Sequence, residues 1–244
     1  MPKKRLDVVL VERGLAESRA QAQALVMAGR VPGHSKPGEQ VAEDVSLEVD
    51  APPPYVSRAG HKLANALDVF GIDVTGVDAL DVGASTGGFT DVLLAGGAAK
   101  VHAVDVGHGQ LAWKLRSDPR VVVHERTNAR HLTAAAVPDP IQALVCDASF
   151  IGLATLLPAP LALCAPNAWA VALIKPQFEA GPGAVGAKGV VRDPAVHRAV
   201  CERVEAWWRA LPGWTVLGIE ESPITGPEGN REFLIAARFA GTPR

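Results

Sequence analysis

The spacing of apolar positions changes character near Tyr55. Before it, Leu6, Val9 and Leu10 recur at helical intervals and stop ahead of Gly14. Ser18-Arg-Ala-Gln21 then has the form of a capping box opening a second helix that ends near Gly29. Two short helices in a hairpin are expected, and the alternation over residues 45–49 predicts a strand that finishes a small unit. From Tyr55 onward, apolar runs predict strands at 79–82, 101–106, 121–123, 143–146, 169–174, 215–219 and 232–237. Helical patterns lie between them near 61–70, 89–95, 111–116, 151–164 and 195–211. Strands that alternate with helices predict a mostly parallel α/β sheet. No internal repeat is visible, and the one biased tract is the Gly/Ala/Pro-rich loop 180–189.

Charge sharpens the division. Over the whole chain 24 Lys and Arg face 26 Asp and Glu, so no global positive field attracts a polyanion. Residues 1–36, however, hold seven Lys or Arg and three acids, a local excess of about +4 that is the footprint of an RNA binder if it gathers on one surface. Residues 37–54 reverse the sign, with five acids and no Lys or Arg, and end in three prolines that favour an extended spacer. The expected organisation is a small α+β domain over 1–50, a proline-rich linker over 51–56 and a larger α/β domain over 57–244. The three cysteines, Cys146, Cys164 and Cys201, lack metal-ligand spacing, and neither disulfides nor a metal are expected. Without a signal-peptide core or a run of about 18 apolar residues, the expectation is a cytoplasmic protein with no membrane partner.

Candidate chemistry collects at predicted strand ends. The stretch 80–90, Leu-Asp-Val-Gly-Ala-Ser-Thr-Gly-Gly-Phe-Thr, reads as strand, tight turn and helix start. Such a turn lets backbone approach a ligand closely and aims the free N–H groups of a helix start at it, although an ordinary strand-to-helix connection can have the same composition. The dinucleotide fingerprint G-x-G-x-x-G is not matched. Asp105 ends the next strand at the spacing expected of an acid that accepts hydrogen bonds from ribose hydroxyls, and Asn128 follows the third strand, where it can meet an adenine edge. Asp147 follows the fourth strand and Lys175 the fifth. Lys62 opens the first helix of this region and Glu232 begins the last strand. Taken singly, Lys62 reads as a surface lysine, Asp147 as a turn residue and Glu232 as an exposed strand residue.

Together these residues carry a resemblance. Asp81-x-Gly83-x-x-x-Gly87-Gly88 resembles the first motif of S-adenosylmethionine-dependent methyltransferases, which implies cofactor contacts from Asp81, Gly83, Ala84, Ser85, Gly87, Gly88, Phe89, Asp105, Asn128 and Asp147. Lys62, Asp147, Lys175 and Glu232 match in order and context the Lys-Asp-Lys-Glu tetrad of FtsJ-like ribose 2′-O-methyltransferases. Longer blocks, among them Val56-Ser-Arg-Ala-Gly-His-Lys-Leu63 and Lys175-Pro-Gln-Phe-Glu179, are similar to the TlyA family, often labelled hemolysins. The segment Arg5-Leu-Asp-Val-Val-Leu-Val-Glu-Arg-Gly-Leu-Ala16 with Ser18-Arg-Ala-Gln-Ala22 and Ala28-Gly-Arg-Val31 resembles S4-type RNA-binding domains, with a hairpin trimmed between Val31 and Lys36. The resemblance implies a Rossmann-like seven-stranded methyltransferase sheet behind the small RNA-binding domain, and a cytidine ribose of ribosomal RNA or a ribosomal subunit as substrate.

The residue types suit that reaction. A ribose 2′-hydroxyl is hardly ionised near neutral pH, so a protein must activate and align the oxygen. A buried lysine beside a like-charged neighbour can hold its proton, and two lysines at one site provide such a neighbour, with acids tuning the field. Lys175 is assigned to the hydroxyl, Asp147 to its electrostatic support, and Lys62 and Glu232 to positioning. RNA contacts are expected from Lys4, Arg5, Arg19 and Arg30 in the front segment, from Arg58, and from Lys188 and Arg192 in and after a lid-like loop. Two other functions compete: an RNA-binding module that has lost catalysis, against which the full tetrad argues, and a membrane-active hemolysin, for which the chain offers no strongly basic amphipathic segment.

Overall fold

The computed structural model describes residues 3–51 and 53–241, with the side chains of Pro182 and Ala187 excepted, so Pro52 of the proline run and the extreme termini of the expected domains lie outside the described residues. The chain divides into two compact units, Met1–Pro54 and Tyr55–Arg244.

In the first unit the order is β1 (Lys3–Arg5), α1 (Leu6–Glu12), α2 (Arg19–Met27) and β2 (Gln40–Ala42). Ser18 caps α2 by accepting the Gln21 N–H at 3.2 Å, as the capping pattern predicts. The helices meet over a core of Leu6, Val9, Leu10, Ala22, Val26 and Val31. The strand expected at 45–49 does not form. Val45, Leu47 and Val49 lie half-buried against this core without joining the sheet. Its place is taken by β2, antiparallel to β1 with Arg5 opposite Gln40. The pairing is set locally, because the Leu6 and Asp7 N–H groups donate to the Glu39 and Pro37 carbonyls at 2.9 Å each and lay the Lys36-Pro37-Gly38 turn against the start of α1.

The second unit holds a seven-stranded sheet in the order β5-β4-β3-β6-β7-β9-β8, with β3 (Asp78–Val82), β4 (Lys100–Val104), β5 (Val121–His124), β6 (Ile141–Cys146), β7 (Cys164–Ile174), β8 (Trp214–Glu221) and β9 (Phe233–Phe239). Each predicted strand is present. β5, β4, β3, β6 and β7 are parallel, whereas β9 runs antiparallel to both β7 and β8. On one face α3 (Ala59–Val69) and α4 (Gly88–Ala95) bury Leu63, Phe89 and Leu93, near the short α5 (Trp113–Arg116) that contributes Leu115. On the other, α6 (Leu153–Leu156), α7 (Pro158–Leu161) and α9 (Pro194–Arg209) bury Leu153, Leu157, Val200 and Trp208. The single helix expected at 151–164 is broken into α6 and α7 where Pro158 and Pro160 remove backbone donors. α8 (Pro176–Glu179) is one turn after β7.

This topology selects the place of the site. The order reverses between β3 and β6, and in open α/β sheets ligands sit outside the carboxyl ends of the strands at such a switch point. Because β9 runs against β7, with Phe233 opposite Ile174, the residue just before β9 stands beside the residue just after β7. Glu232 and Lys175 are those residues.

Candidate active site

The turn after β3 is shaped by close approach and spends its own donors. Gly83 has φ +81°, and a Cβ there would stand 2.8 Å from the Ala148 Cα, so only glycine lets the β3 and β6 ends converge. Gly87, at φ +97°, would drive a Cβ to 2.2 Å from Leu115 Cδ1. The Gly83 and Ala84 N–H groups both donate to the Val104 carbonyl at 2.8 and 3.1 Å, and Gly87 donates to Ala84 at 2.7 Å. Ser85, itself left-handed at φ +49°, donates its N–H to Asp105 Oδ2 at 2.8 Å. These amides, read in the sequence as pointing at a ligand, are satisfied inside the protein.

What the turn offers instead is negative charge. Asp81 is fully buried, accepts the Thr90 hydroxyl at 2.6 Å on Oδ2, and has no partner for Oδ1. Burial above all, and then the charges of Asp147 and Asp105, push its carboxyl up to about 7. Asp105 accepts from Gly107 N–H at 2.6 Å as well as from Ser85, and each carboxylate oxygen keeps lone-pair capacity for a ligand. A cavity of about 510 Å³ opens here, lined by Gly83, Asp105, Gln110, Asn128, Asp147 and Phe150 among others. Asn128 turns its Oδ1 back to the Arg130 N–H at 3.1 Å, capping a short helical turn at the cavity wall. Phe89 is buried in the core beneath the turn, and Gly88 opens α4 so closely against Ser57 that a Cβ would lie 2.3 Å from its Oγ.

A second cavity, about 570 Å³, shares Gly83, Ser85, Asp147, Ser149 and Phe150 with the first. The four tetrad residues line it as two ion pairs. Lys62 Nζ is 2.5 Å from Glu232 Oε2, with both side chains buried. Lys175 Nζ is 2.6 Å from Asp147 Oδ1 and also donates to the Asp147 carbonyl at 3.2 Å and to Ser149 Oγ at 2.9 Å. The sequence reading expected each lysine to feel the other; in the structure each lysine has a carboxylate as its immediate partner.

Sequence reasoning missed Ser149, Asn230 and Gly226, which hold the residues of the site in place. Ser149 orients Lys175, but a serine in Asp-Ala-Ser-Phe carries no signal of that role. Asn230 is buried and joins two loops: its Oδ1 accepts the Val191 N–H at 3.1 Å, and its Nδ2 donates to the Gly189 and Pro227 carbonyls at 3.1 and 3.4 Å. Gly226 leaves room for Glu232, whose Oε1 would lie 2.1 Å from a Cβ at that position. Ser85, Phe150, Lys188 and Glu228 all hold positive φ on non-glycine residues, and all four line the second cavity. Each such residue costs on the order of 1 kcal/mol, and clustering of that strain is typical of functional sites. Phe150, 88% exposed, leans on Phe178 at 4.9 Å between ring centroids.

The expected RNA contacts divide. Arg58, Lys188 and Arg192 are exposed, and Lys188 lines the second cavity. In the small unit Lys4 pairs with Glu12 and Glu43 at 3.0 and 3.1 Å, Arg30 donates to the Asp50 carbonyl, and Arg5 and Arg19 share Asp7. Among the described residues no His, Cys, Asp and Glu group has the geometry of a metal site.

Comparison with known proteins decides the family. The model of FtsJ-like methyltransferases matches residues 55–239 and that of the S4 domain matches residues 4–31. A curated relative from Mycobacterium tuberculosis, the 16S/23S rRNA (cytidine-2′-O)-methyltransferase TlyA, is 49% identical over 240 residues, covering 96% of this chain and 89% of its own. The chain belongs to the TlyA family of FtsJ-like methyltransferases. Hemolysin A of Brachyspira hyodysenteriae is 39% identical over 240 residues, with 94% and 98% of the two chains covered. A solved structure from Streptococcus thermophilus, also named as a hemolysin, superposes with TM-score 0.75 at 42% identity, covering all of this chain and 90% of that one.

The cofactor of this TlyA-family chain is S-adenosylmethionine. The donor set fits it on physical grounds. A sulfonium and an ammonium group suit a cavity lined by Asp105 and Asp147, behind which the buried Asp81 keeps an unpartnered oxygen. The pyrophosphate of a dinucleotide would meet Asp105 and Asp147 at a turn whose Gly83, Ala84, Ser85 and Gly87 amides are already paired within the protein.

Proposed function

We propose that the chain transfers a methyl group from S-adenosylmethionine to the 2′-hydroxyl of a cytidine ribose in ribosomal RNA, with residues 57–244 as the catalytic domain and residues 1–50 as an RNA-binding domain. The observation that carries this reading is that Asp147 stands in the wall shared by the two cavities and is paired there with Lys175, which lines the second. One cavity takes the cofactor and the other the acceptor ribose. Bound in the first, S-adenosylmethionine supplies an activated methyl group. Asp105 holds the cofactor's ribose hydroxyls, and Asp81 and Asp147 complement its positive charge. Lys175 Nζ lies nearest the acceptor O2′; it fixes the oxygen's direction and, once one of its own protons has passed to Asp147 Oδ1 2.6 Å away, accepts as the neutral amine the proton that leaves O2′. Ser149 keeps the amine aimed. Lys62, tied to Glu232, sets the opposite wall and positions the ribose, and alignment of oxygen with methyl carbon supplies much of the remaining acceleration.

In this reading RNA is bound by Arg5, Arg19, Arg30 and Lys4 in the small unit and by Arg58, Lys188 and Arg192 in the large one, and the protein works in the cytoplasm. No helix among the described residues is long and apolar enough to cross a membrane. The test is a map of 2′-O-methyl marks on ribosomal RNA from cells with and without the protein, and from purified subunits treated with it. A single cytidine gained with the protein is the expected result; an unchanged map in both settings rejects the reading.

A further inference from the structure

In the small unit one buried carboxylate gathers two of the candidate RNA-binding arginines. Asp7 sits in the first turn of α1 with no exposed surface. It accepts a fork from Arg5, with Nε to Oδ1 at 3.0 Å and Nη2 to Oδ2 at 3.1 Å. The same Oδ2 takes Arg19 Nη2 at 3.1 Å and Gln23 Nε2 at 2.8 Å. Arg19 and Gln23 are one turn apart on α2, so the capped start of that helix aims both at Asp7. The arginine side chains nevertheless remain 45% and 57% exposed. On its other side the Arg5 guanidinium is backed by the Lys36-Pro37-Gly38 turn, where a Cβ on Gly38 would come within 3.1 Å of Nη1.

We infer that Asp7 is a positioning residue for RNA binding, holding Arg5 and Arg19 as a preformed pair whose remaining N–H groups meet one RNA phosphate. This rests on the proposal that the small unit binds ribosomal RNA. Two long side chains that search for a phosphate lose rotamer freedom on binding, and a buried acid that fixes them removes that cost in advance. A charge-assisted fork is also the geometry that matches phosphate oxygens. The arrangement makes a prediction opposite to simple electrostatics. Asp7→Asn raises the net charge of the basic unit by one, which by charge alone tightens RNA; if Asp7 positions the arginines, it loosens RNA.

The experiment uses the full chain and unmodified ribosomal RNA transcribed in vitro, with affinity measured across a salt series and methylation kinetics measured alongside. For Asp7→Asn the expected result is affinity weaker by about tenfold with a shallower salt slope, and a raised KM at unchanged kcat. Gly38→Val pushes the Arg5 guanidinium out of place at an exposed backbone position without touching a charge, and it moves affinity and KM in the same direction, so the inference does not depend on the folding of Asp7→Asn alone. In Arg5→Ala, Asp7→Asn adds less than it does in the parent. Equal or tighter binding by folded Asp7→Asn, or by Gly38→Val if Asp7→Asn does not fold, overturns the positioning role while leaving the proposed function intact. Failure of the parent chain itself to bind ribosomal RNA overturns both.

Discussion

Lys62 and Glu232 are 170 residues apart in the chain and 2.5 Å apart in space, with 6% and 1% of their surfaces exposed. The first comes from the opening of α3, the second from the residue before β9, and antiparallel pairing of β9 on β7 sets the pair beside Lys175 and Asp147. Two ion pairs, the first buried and the second partly so, therefore line one cavity, each made of partners from different elements of the chain.

Breaking the first pair separates stability from catalysis. Glu232→Gln leaves the Lys62 ammonium buried without a counter-charge, and urea unfolding is expected to show a loss of about 3–5 kcal/mol. Replacing both partners with apolar residues of similar size, Lys62→Met with Glu232→Leu, recovers most of that stability and yet gives no methyl transfer. A stable double variant with full activity would show the pair to be a packing device.

Gly226 guards the same carboxylate. Its backbone is extended, so Gly226→Ala is not strained by its own φ, but the new Cβ would fall 2.1 Å from Glu232 Oε1. The carboxylate has to move off Lys62. Expected is a fall in kcat of at least tenfold, with cofactor affinity by calorimetry little changed, since Gly226 lines neither cavity.

How much of this was legible beforehand follows from what carries each feature. The seven strands of the large unit announce themselves because each is an apolar run between turn signals, and the acids and lysines of interest follow directly at their ends. The strand expected at 45–49 had the right alternation, but alternation records only that Val45, Leu47 and Val49 face a core; pairing went to Gln40–Ala42, whose pattern is weak and whose position is set by carbonyls meeting the start of α1. Ser149, Asn230 and Gly226 matter through what stands opposite them in space, and no local pattern encodes that. The turn amides of Gly83, Ala84 and Ser85 looked available in sequence because what consumes them, the Val104 carbonyl and the Asp105 carboxylate, stands at the end of another strand.

Lys175→Ala tests the assignment nearest the chemistry. The variant removes the amine that contacts Asp147 and Ser149 and leaves the Asp105 wall intact. Methyl incorporation into ribosomal RNA is expected to fall by at least a hundredfold, while calorimetry still detects S-adenosylmethionine. Activity within a few-fold of the parent removes Lys175 from its proposed role.

Asn230 ties the Gly189–Val191 segment to Pro227, and thereby holds Lys188 and Glu228, both left-handed, at the rim of the second cavity. Asn230→Ala removes every one of those bonds and leaves the buried Val191 N–H unpaired, which costs about 1–3 kcal/mol. Because the loop faces the acceptor cavity, KM for RNA should rise more than kcat falls, and proteolysis should cut the 180–191 loop faster than in the parent. Unchanged cleavage together with unchanged KM would mean that the loop keeps its place without the asparagine.

Asp81 gives the unliganded protein a pH dependence whose sign follows from burial. Its carboxyl is pushed up to about 7 in the folded chain from 3.8, so between those values the native state keeps a proton that the unfolded state has released. Stability is fully present below about 4, declines as pH rises to about 7 and is flat above it, with a span of roughly 4 kcal/mol at most. Asp81→Asn cannot ionise, so its unfolding free energy should exceed that of the parent near pH 8 and the slope between pH 4 and 7 should be reduced. The cofactor reverses the preference, because a cationic ligand favours the carboxylate. S-adenosylmethionine affinity of the parent is therefore expected to rise with pH through about 7, with proton release on binding at pH 6.5, and to lose that dependence in Asp81→Asn. Calorimetry in two buffers of different ionisation enthalpy reads the proton count directly, and the same count in parent and variant would assign the titration to another group.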